Sequence, residues 1–398
     1  MIRRLLTFSP GRLALAKGPS GAMYRLRDGG GTLERSLLVF FSPLAEAEDR
    51  YDLTPTIRIA EFPQHVGSVR GPLRYAAFAR AVARFVRGAR DLVREERVEA
   101  IVALDPHLLG LTAYLLARRF RLPWAIEVVQ DYDNSGRQAQ RVAFKPFLFP
   151  AVERAVERFV LRRAPLVMSY FPHYGDWAIA QGTPAERVVF AGTVVDDCHY
   201  REWPEVRVER PALIPDAEKR TWLLYVGRLH PVKFTQDLPG ILQSALEAGV
   251  DAHLVVIGEG VQRPWLEREL VGRGLTGRVT MVPMQSQESL ARWYRMADVV
   301  IYTHGGSTLV EGALAGTPVV AYRHDWHPDL VGDDERGLLV PFRDTRAFGE
   351  AIAAAVADPG AAQARAGRAR EFAQRRFSYD GYAERQREIL RRLASVAA

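Results

Sequence analysis

Apolar and polar positions along this chain follow two rhythms. Short runs of consecutive aliphatic or aromatic residues are separated by longer stretches in which apolar positions recur every three or four residues. The runs fall near 2–8, 36–41, 56–61, 100–104, 124–129, 166–169 and 188–191, then near 222–226, 252–257, 279–282, 299–302, 318–321 and 338–340. Strands that are apolar throughout belong to parallel sheets covered on both faces by helices. The pattern therefore predicts an α/β protein. The clearest helical stretch is 72–94: Tyr75, Phe78, Val82, Phe85, Ala89 and Leu92 share one face, and Arg80, Arg84, Arg87, Arg90 and Arg94 the opposite one. A last amphipathic, basic helix is expected over 379–393.

The stretch 196–220 is polar and carries Pro204, Pro211 and Pro215, so it reads as a linker. It predicts two doubly wound Rossmann-like domains, 1–200 and 201–376, followed by a terminal helix at 377–398. Ligands of such sheets bind beyond the carboxyl ends of the strands, which places the expected site in a central cleft between the domains. No apolar run approaches the roughly 18 residues of a membrane span. The opening MIRRLLTFSPG has too short an apolar run for a signal peptide. A single cysteine, Cys198, excludes internal disulfides and a cysteine-rich zinc site. A cytoplasmic protein is expected.

The net charge is +7, and of 54 cationic residues only Lys17, Lys145, Lys219 and Lys233 are lysine. The arginine face of 72–94 has an ordinary reading as a solvated surface. Its sharper reading is attachment to an anionic membrane surface, at about 1 kcal/mol per basic residue. No basic-aromatic surface motif points to nucleic acid.

Three segments carry candidate chemistry. In TWLLYVGRLHPVKFTQD a strand ends at Gly227, with Arg228 and then Lys233 just beyond it. A guanidinium fork and an ammonium at that place suit a diphosphate. VVIGEG ends another strand at Gly258 and Gly260, which permit close backbone approach to a ligand. VVIYTHGGSTLVEGALAGTPVVAY reads strand, glycine turn, helix and strand. In it Gly305, Gly306, Ser307 and Thr308 would turn free amides towards a phosphate. Glu311 then has two readings. It could accept hydrogen bonds from two ribose hydroxyls, or it could close a capping box with Thr308.

The order GRLxxxK, VIGEG, ADVVIY, GGSTLVEGALAGTPVVA and GLLVPFRD resembles the donor-binding domain of GT-B glycosyltransferases, in particular the retaining glycosyltransferase family 4. VEAIVALDPHLLGLTAYLLARRF with RLPWAIEVVQDYD is similar to that family's acceptor domain, and Arg375–Tyr379 to its tail, where the last helix crosses back to the first domain. The resemblance covers most of 98–395 and is weak over the first 70 residues. It implies a GT-B fold and transfer of a sugar from a nucleotide diphosphate sugar to a glycan or glycolipid acceptor, in cell-surface glycan assembly, without a metal or other cofactor. Arg228 and Lys233 would stabilise the leaving diphosphate, Glu311 would hold the ribose, and Gly227, Gly258, Gly260 and Gly305–Thr308 would cradle the donor. Val279 would line the base pocket.

The chain departs from the pattern in places. Thr303, followed by His304, stands where the family has a second glutamate facing the sugar; its hydroxyl is expected to bond a sugar hydroxyl instead. Gln130 and Asp131 stand where a histidine is common, and Asp325-Trp326 where a glycine pair is common. These, with Asp105 and His107 after an earlier strand, are candidates for the acceptor or sugar pocket. Asp131-Tyr132-Asp133 is a D-x-D triplet, given no metal role here. An inverting transferase or a nucleotide-sugar epimerase of the same fold is the rival enzyme. A non-catalytic sugar-nucleotide-binding partner is the rival outside enzymes. The sequence specifies neither UDP nor GDP, nor the sugar.

Overall fold

The computed structural model describes residues 2–10, 27–42, 45, 47–64, 73–130, 132, 150–195, 197–201 and 219–396. Asp131, Asp133 and most of the expected linker lie outside these. The chain divides into two compact units, Met1–Val194 with Tyr379–Ala398, and Val195–Ser378.

The first unit holds β1 (Arg4–Ser9), β2 (Arg35–Ser42), β3 (Asp49–Asp52), β4 (Ile57–Pro63), β5 (Ala100–Ala103), β6 (Trp124–Val128), β7 (Val167–Ser169) and β8 (Val188–Phe190). They form one sheet in the order β3-β4-β2-β1-β5-β6-β7-β8. Every pair is parallel except β3 with β4. β3, sequence Asp-Arg-Tyr-Asp, was not expected. It has no apolar run and buries none of its residues fully; its backbone ladder to β4 makes it an edge strand.

The helix Leu73–Glu95 lays its apolar face on this sheet. Phe85 is its anchor, with ring centroids 5.4 Å from Phe8, 4.8 Å from Phe41 and 5.6 Å from Phe62. Arg80, Arg84, Arg87, Arg90 and Arg94 are exposed on the other side. The terminal helix, Tyr379–Ser395, buries Ile389, Leu390 and Leu393 in the same apolar cluster as Ile2, Leu33 and Val102. It therefore returns to the first unit, as the resemblance implied.

The second unit holds β9 (Thr221–Val226), β10 (Ala252–Ile257), β11 (Val279–Val282), β12 (Val299–Tyr302), β13 (Val319–Tyr322) and β14 (Leu338–Val340), all parallel, in the order β11-β10-β9-β12-β13-β14. The strand order reverses between β9 and β12. At such a reversal chain leaving neighbouring strands goes to opposite sides of the sheet, and the carboxyl ends there are where open α/β sheets bind ligands. Both units thus have the Rossmann-like architecture of a GT-B protein.

Candidate active site

The loops that leave β9 and β12 side by side build the site. Beyond β9 the chain stays paired to its neighbour: Gly227 N–H donates to Ile257 O at 3.0 Å and Leu229 N–H to Glu259 O at 2.9 Å. Gly258 and Gly260 have φ of +149° and +158°, and a Cβ on either would overlap the carbonyl of Gly227 or Leu229. These glycines bring two backbones into contact, where the sequence assigned them a ligand approach. Their effect is to fix the turn that presents Arg228. That side chain is exposed and makes no ion pair among the described residues.

Lys233 ends the short turn Pro231–Lys233. Its Nζ donates to Gly305 O at 3.2 Å, while the Thr303 hydroxyl donates to Lys233 O at 2.6 Å. The two loops are stitched together at both ends of one lysine. Burial, and then the charge of Arg228, push the Lys233 pKa down to about 8 against the opposing pull of Asp325.

This geometry corrects two expectations from the sequence. Thr303 is fully buried and its hydroxyl is spent on the Lys233 carbonyl, so it has no donor left for a sugar hydroxyl. Gly305 does not offer its amide to a phosphate: that N–H donates to His327 Nε2 at 2.6 Å. Its carbonyl receives both Lys233 Nζ and His304 Nδ1, the latter at 2.9 Å. The helix Ser307–Leu314 starts one residue later than that glycine pair, with Gly306 as its N-cap and no side-chain cap. Its first bond runs from Leu309 N–H to Gly306 O, which leaves the amides of Ser307 and Thr308 outside the helical ladder.

Glu311 lies on that helix, buried. Tyr294 OH donates to its Oε2 at 3.2 Å, and the side chains of Gln287 and Ser307 also bond it. Burial raises its pKa to about 7. The capping box does not form, because Thr308 is inside the helix and is not its N-cap. The carboxylate is instead held from three sides by other side chains. Tyr302 OH donates to Thr308 O at 2.7 Å, and the Tyr294 hydroxyl, with one proton to give, lies 3.2 Å from Thr308 O as well as from Glu311 Oε2. No motif marked Tyr294 or Gln287, which come from the helix Gln287–Met296 beside it.

Val279 opens β11, at the amino end of the strand, and packs on the core of the unit. Ligands of such sheets bind at the opposite, carboxyl end, where Val282 pairs with Ile257 and Met284 is exposed. Asp325 has φ +52° and is half-buried. Trp326 is buried, with its ring 5.9 Å from His327, and it supports that histidine from within the unit.

In the first unit, Asp105 Oδ1 accepts the His107 N–H at 2.8 Å, and His107 Nε2 lies 3.1 Å from Glu157 Oε2. Burial raises the Asp105 pKa. Burial lowers that of His107, but the bond to Glu157 and the charge of Asp105 outweigh it, and the net shift is upward. The pair is committed to an internal network, and Glu157 was its missing member in the sequence reading. Gln130, half-buried, follows β6 closely. A buried ion pair the sequence did not reveal joins Arg27 to Glu127 at 2.8 Å.

Comparison with known proteins adds the following. Residues 210–372 match the family described as Glycosyl transferases group 1, and residues 34–192 match the Glycosyl transferase 4-like domain. A D-inositol 3-phosphate glycosyltransferase of Xylanimonas cellulosilytica is 28% identical over 357 residues, 83% of this chain and 80% of that protein. Its counterpart in Mycobacteroides abscessus is 34% identical over 151 residues, 36% of this chain and 33% of that protein. Anabaena HepE, solved in complex with UDP and glucose, superimposes with a TM-score of 0.72 at 18% identity, covering 98% of this chain and 100% of that one. At that identity the likeness speaks to the fold.

Proposed function

The chain belongs to the group 1 glycosyltransferases, and we propose that it moves a hexose-type sugar from a nucleotide diphosphate sugar to a hydroxyl of a lipid-linked or polysaccharide acceptor, with retention at the anomeric carbon. The observation that carries this reading is the meeting of Arg228, Lys233, the start of the Ser307–Leu314 helix and Glu311 where the strand order of the second unit reverses.

Each residue then has a task. Arg228 and Lys233 neutralise the diphosphate, most strongly as the glycosidic C–O bond breaks and charge builds on the leaving oxygen. The amides of Ser307 and Thr308 add partial positive charge at the helix end. Glu311, already held by Tyr294 and Gln287, accepts hydrogen bonds from the ribose hydroxyls. The acceptor hydroxyl forms the new bond, and its proton leaves with the diphosphate. Two side-chain cations supply the charge, so this reading calls for no metal.

HepE, solved with UDP and glucose, supports a nucleotide-sugar donor, and the names of the two relatives favour including inositol 3-phosphate among acceptors. No helix among the described residues is long and apolar enough to cross a membrane. Attachment would instead use the exposed arginine face of Leu73–Glu95 on anionic lipid. The test is transfer from UDP- and GDP-hexoses to a panel of sugar, polyol phosphate and lipid-linked acceptors, with the product anomer read by NMR. Full activity after replacing Arg228, Lys233 and Glu311 together by alanine would overturn the reading.

A further inference from the structure

Thr303 and His304 stand together at the mouth of the β12 loop, and the structure gives them opposite fates. Thr303 faces inward and its hydroxyl is consumed by Lys233 O. His304 is half-buried. Its ring stacks on Phe234 at 5.9 Å and meets the edge of His324 at 5.4 Å, which fixes its plane. Nδ1 lies 2.9 Å from Gly305 O. A carbonyl oxygen only accepts, so Nδ1 carries the proton and Nε2 of the neutral ring is a bare acceptor. Nε2 has no partner among the described residues.

The charged and titratable groups around it set its form. Lys233 shares the Gly305 carbonyl, Arg228 lies near Lys233, His324 and His327 face the ring, and Asp325 is the acid of the group. His327 is neutral by geometry, since Nε2 accepts from Gly305 N–H and Nδ1 donates to Tyr322 O at 2.7 Å. Burial, and then the charge of Lys233, hold His304 itself down to about 4. At neutral pH it is therefore a fixed, uncharged acceptor.

We infer that His304 Nε2 accepts a hydrogen bond from a hydroxyl of the donor sugar, a contact for which the buried Thr303, its proton given to Lys233 O, is not placed. The inference rests on the donor-site reading above. It also names a class of donor: a neutral sugar presenting a hydroxyl to this ring. A sugar with a carboxylate at the same place would meet a lone pair and be disfavoured.

Titration calorimetry of the full chain tests it, with UDP, UDP-glucose, UDP-glucuronate, GDP and GDP-mannose as probes. His304→Phe keeps the stacking and removes the acceptor; His304→Gln keeps an acceptor near the Nε2 position. The expected result is a loss of about three- to tenfold in affinity for the nucleotide hexose in His304→Phe. The bare nucleotide should bind unchanged, and His304→Gln should recover most of the loss. Equal weakening of nucleotide and nucleotide hexose, no weakening at all, or tighter binding of the glucuronate than of glucose would overturn the inference and leave the donor site standing. Failure of every nucleotide and nucleotide sugar to bind the parent protein would overturn the donor-site reading and the inference with it.

Discussion

The ammonium of Lys233 donates to the carbonyl of Gly305 across 3.2 Å, and that bond joins the loop after β9 to the loop after β12. The ammonium carries three protons and gives one to that carbonyl, so it keeps donors for a diphosphate at the helix end in the proposed role. Removing the ammonium takes charge from the leaving group at the moment it forms, so Lys233→Ala is expected to lower kcat about 10²–10³-fold. The Thr303 bond uses the main-chain carbonyl of residue 233 and survives the change, so the fold should hold. Steady-state kinetics with circular dichroism as a control checks both halves.

Donor affinity should be bell-shaped in pH. In the proposed role Glu311 would accept ribose hydroxyls best when ionised, and its pKa of about 7 means that affinity should rise as pH climbs through neutrality. Lys233 would hold the diphosphate only while protonated, and its pKa of about 8 means that affinity should fall as pH climbs further. Binding measured from pH 5.5 to 9.5 should peak between these values. Glu311→Gln should flatten the acid limb and leave the alkaline one in place.

The same glutamate should oppose stability above neutrality. Its pKa in the folded chain lies above the ordinary 4.5, so it stabilises the fold fully below that ordinary value and loses the contribution as pH rises through about 7. Glutamine cannot ionise. Glu311→Gln should therefore be the more stable protein at pH 8, by on the order of 2–3 kcal/mol, and nearly equal to the parent at pH 4.5. A capping glutamate would show the reverse, a loss on substitution. Thermal unfolding at the two pH values separates them.

Much of this architecture was legible in the sequence because buried parallel strands are continuous apolar runs, too short for helices and bounded by turn residues. β10, β11, β12 and β14 fall where the pattern placed them, and the helix expected over 72–94 spans Leu73–Glu95. β3 was not legible because edge pairing depends on a neighbour's backbone and not on burial. Side-chain direction was the harder matter in the site. Thr303 and His304 are consecutive, and nothing in their spacing says which faces inward. The roles of Tyr294, Gln287 and Glu157 depend on helices distant in sequence, so no local motif could announce them.

Gly258 gives a test of the backbone contact beneath Arg228. At φ +149° an L-residue is strained, and an alanine Cβ would overlap the Gly227 carbonyl. The ladder that carries Arg228 would have to separate. Gly258→Ala is expected to cost several kcal/mol of stability, in the range reserved for steric conflict at special backbone angles, and to weaken bare UDP or GDP as well as the nucleotide sugar. Denaturant unfolding with nucleotide titration checks it, and near-parental values in both would contradict the contact.

The arginine face of the first unit makes a prediction that the donor site does not. Arg80, Arg84 and Arg87 are exposed and form no ion pairs among the described residues, whereas Arg90 pairs with Asp91 and Arg94 lies over the Phe120 ring. The first three are thus the residues with charge to spare for a partner, and replacing them leaves the buried face of the helix, centred on Phe85, untouched. Arginine near an anionic bilayer contributes about 1 kcal/mol. Changing all three to glutamine should then weaken binding to phosphatidylserine vesicles about 100-fold. Binding by the parent should also fall steeply between 50 and about 500 mM salt, because exposed charges are screened over a Debye length of about 10 Å at 0.1 M. Turnover with a water-soluble acceptor should be unchanged, since these residues belong to the first unit and none of them is among the proposed donor-site residues. Flotation at low salt is the direct measurement. A parent chain that stays at the bottom of the gradient with anionic vesicles would show that the face is a solvated surface.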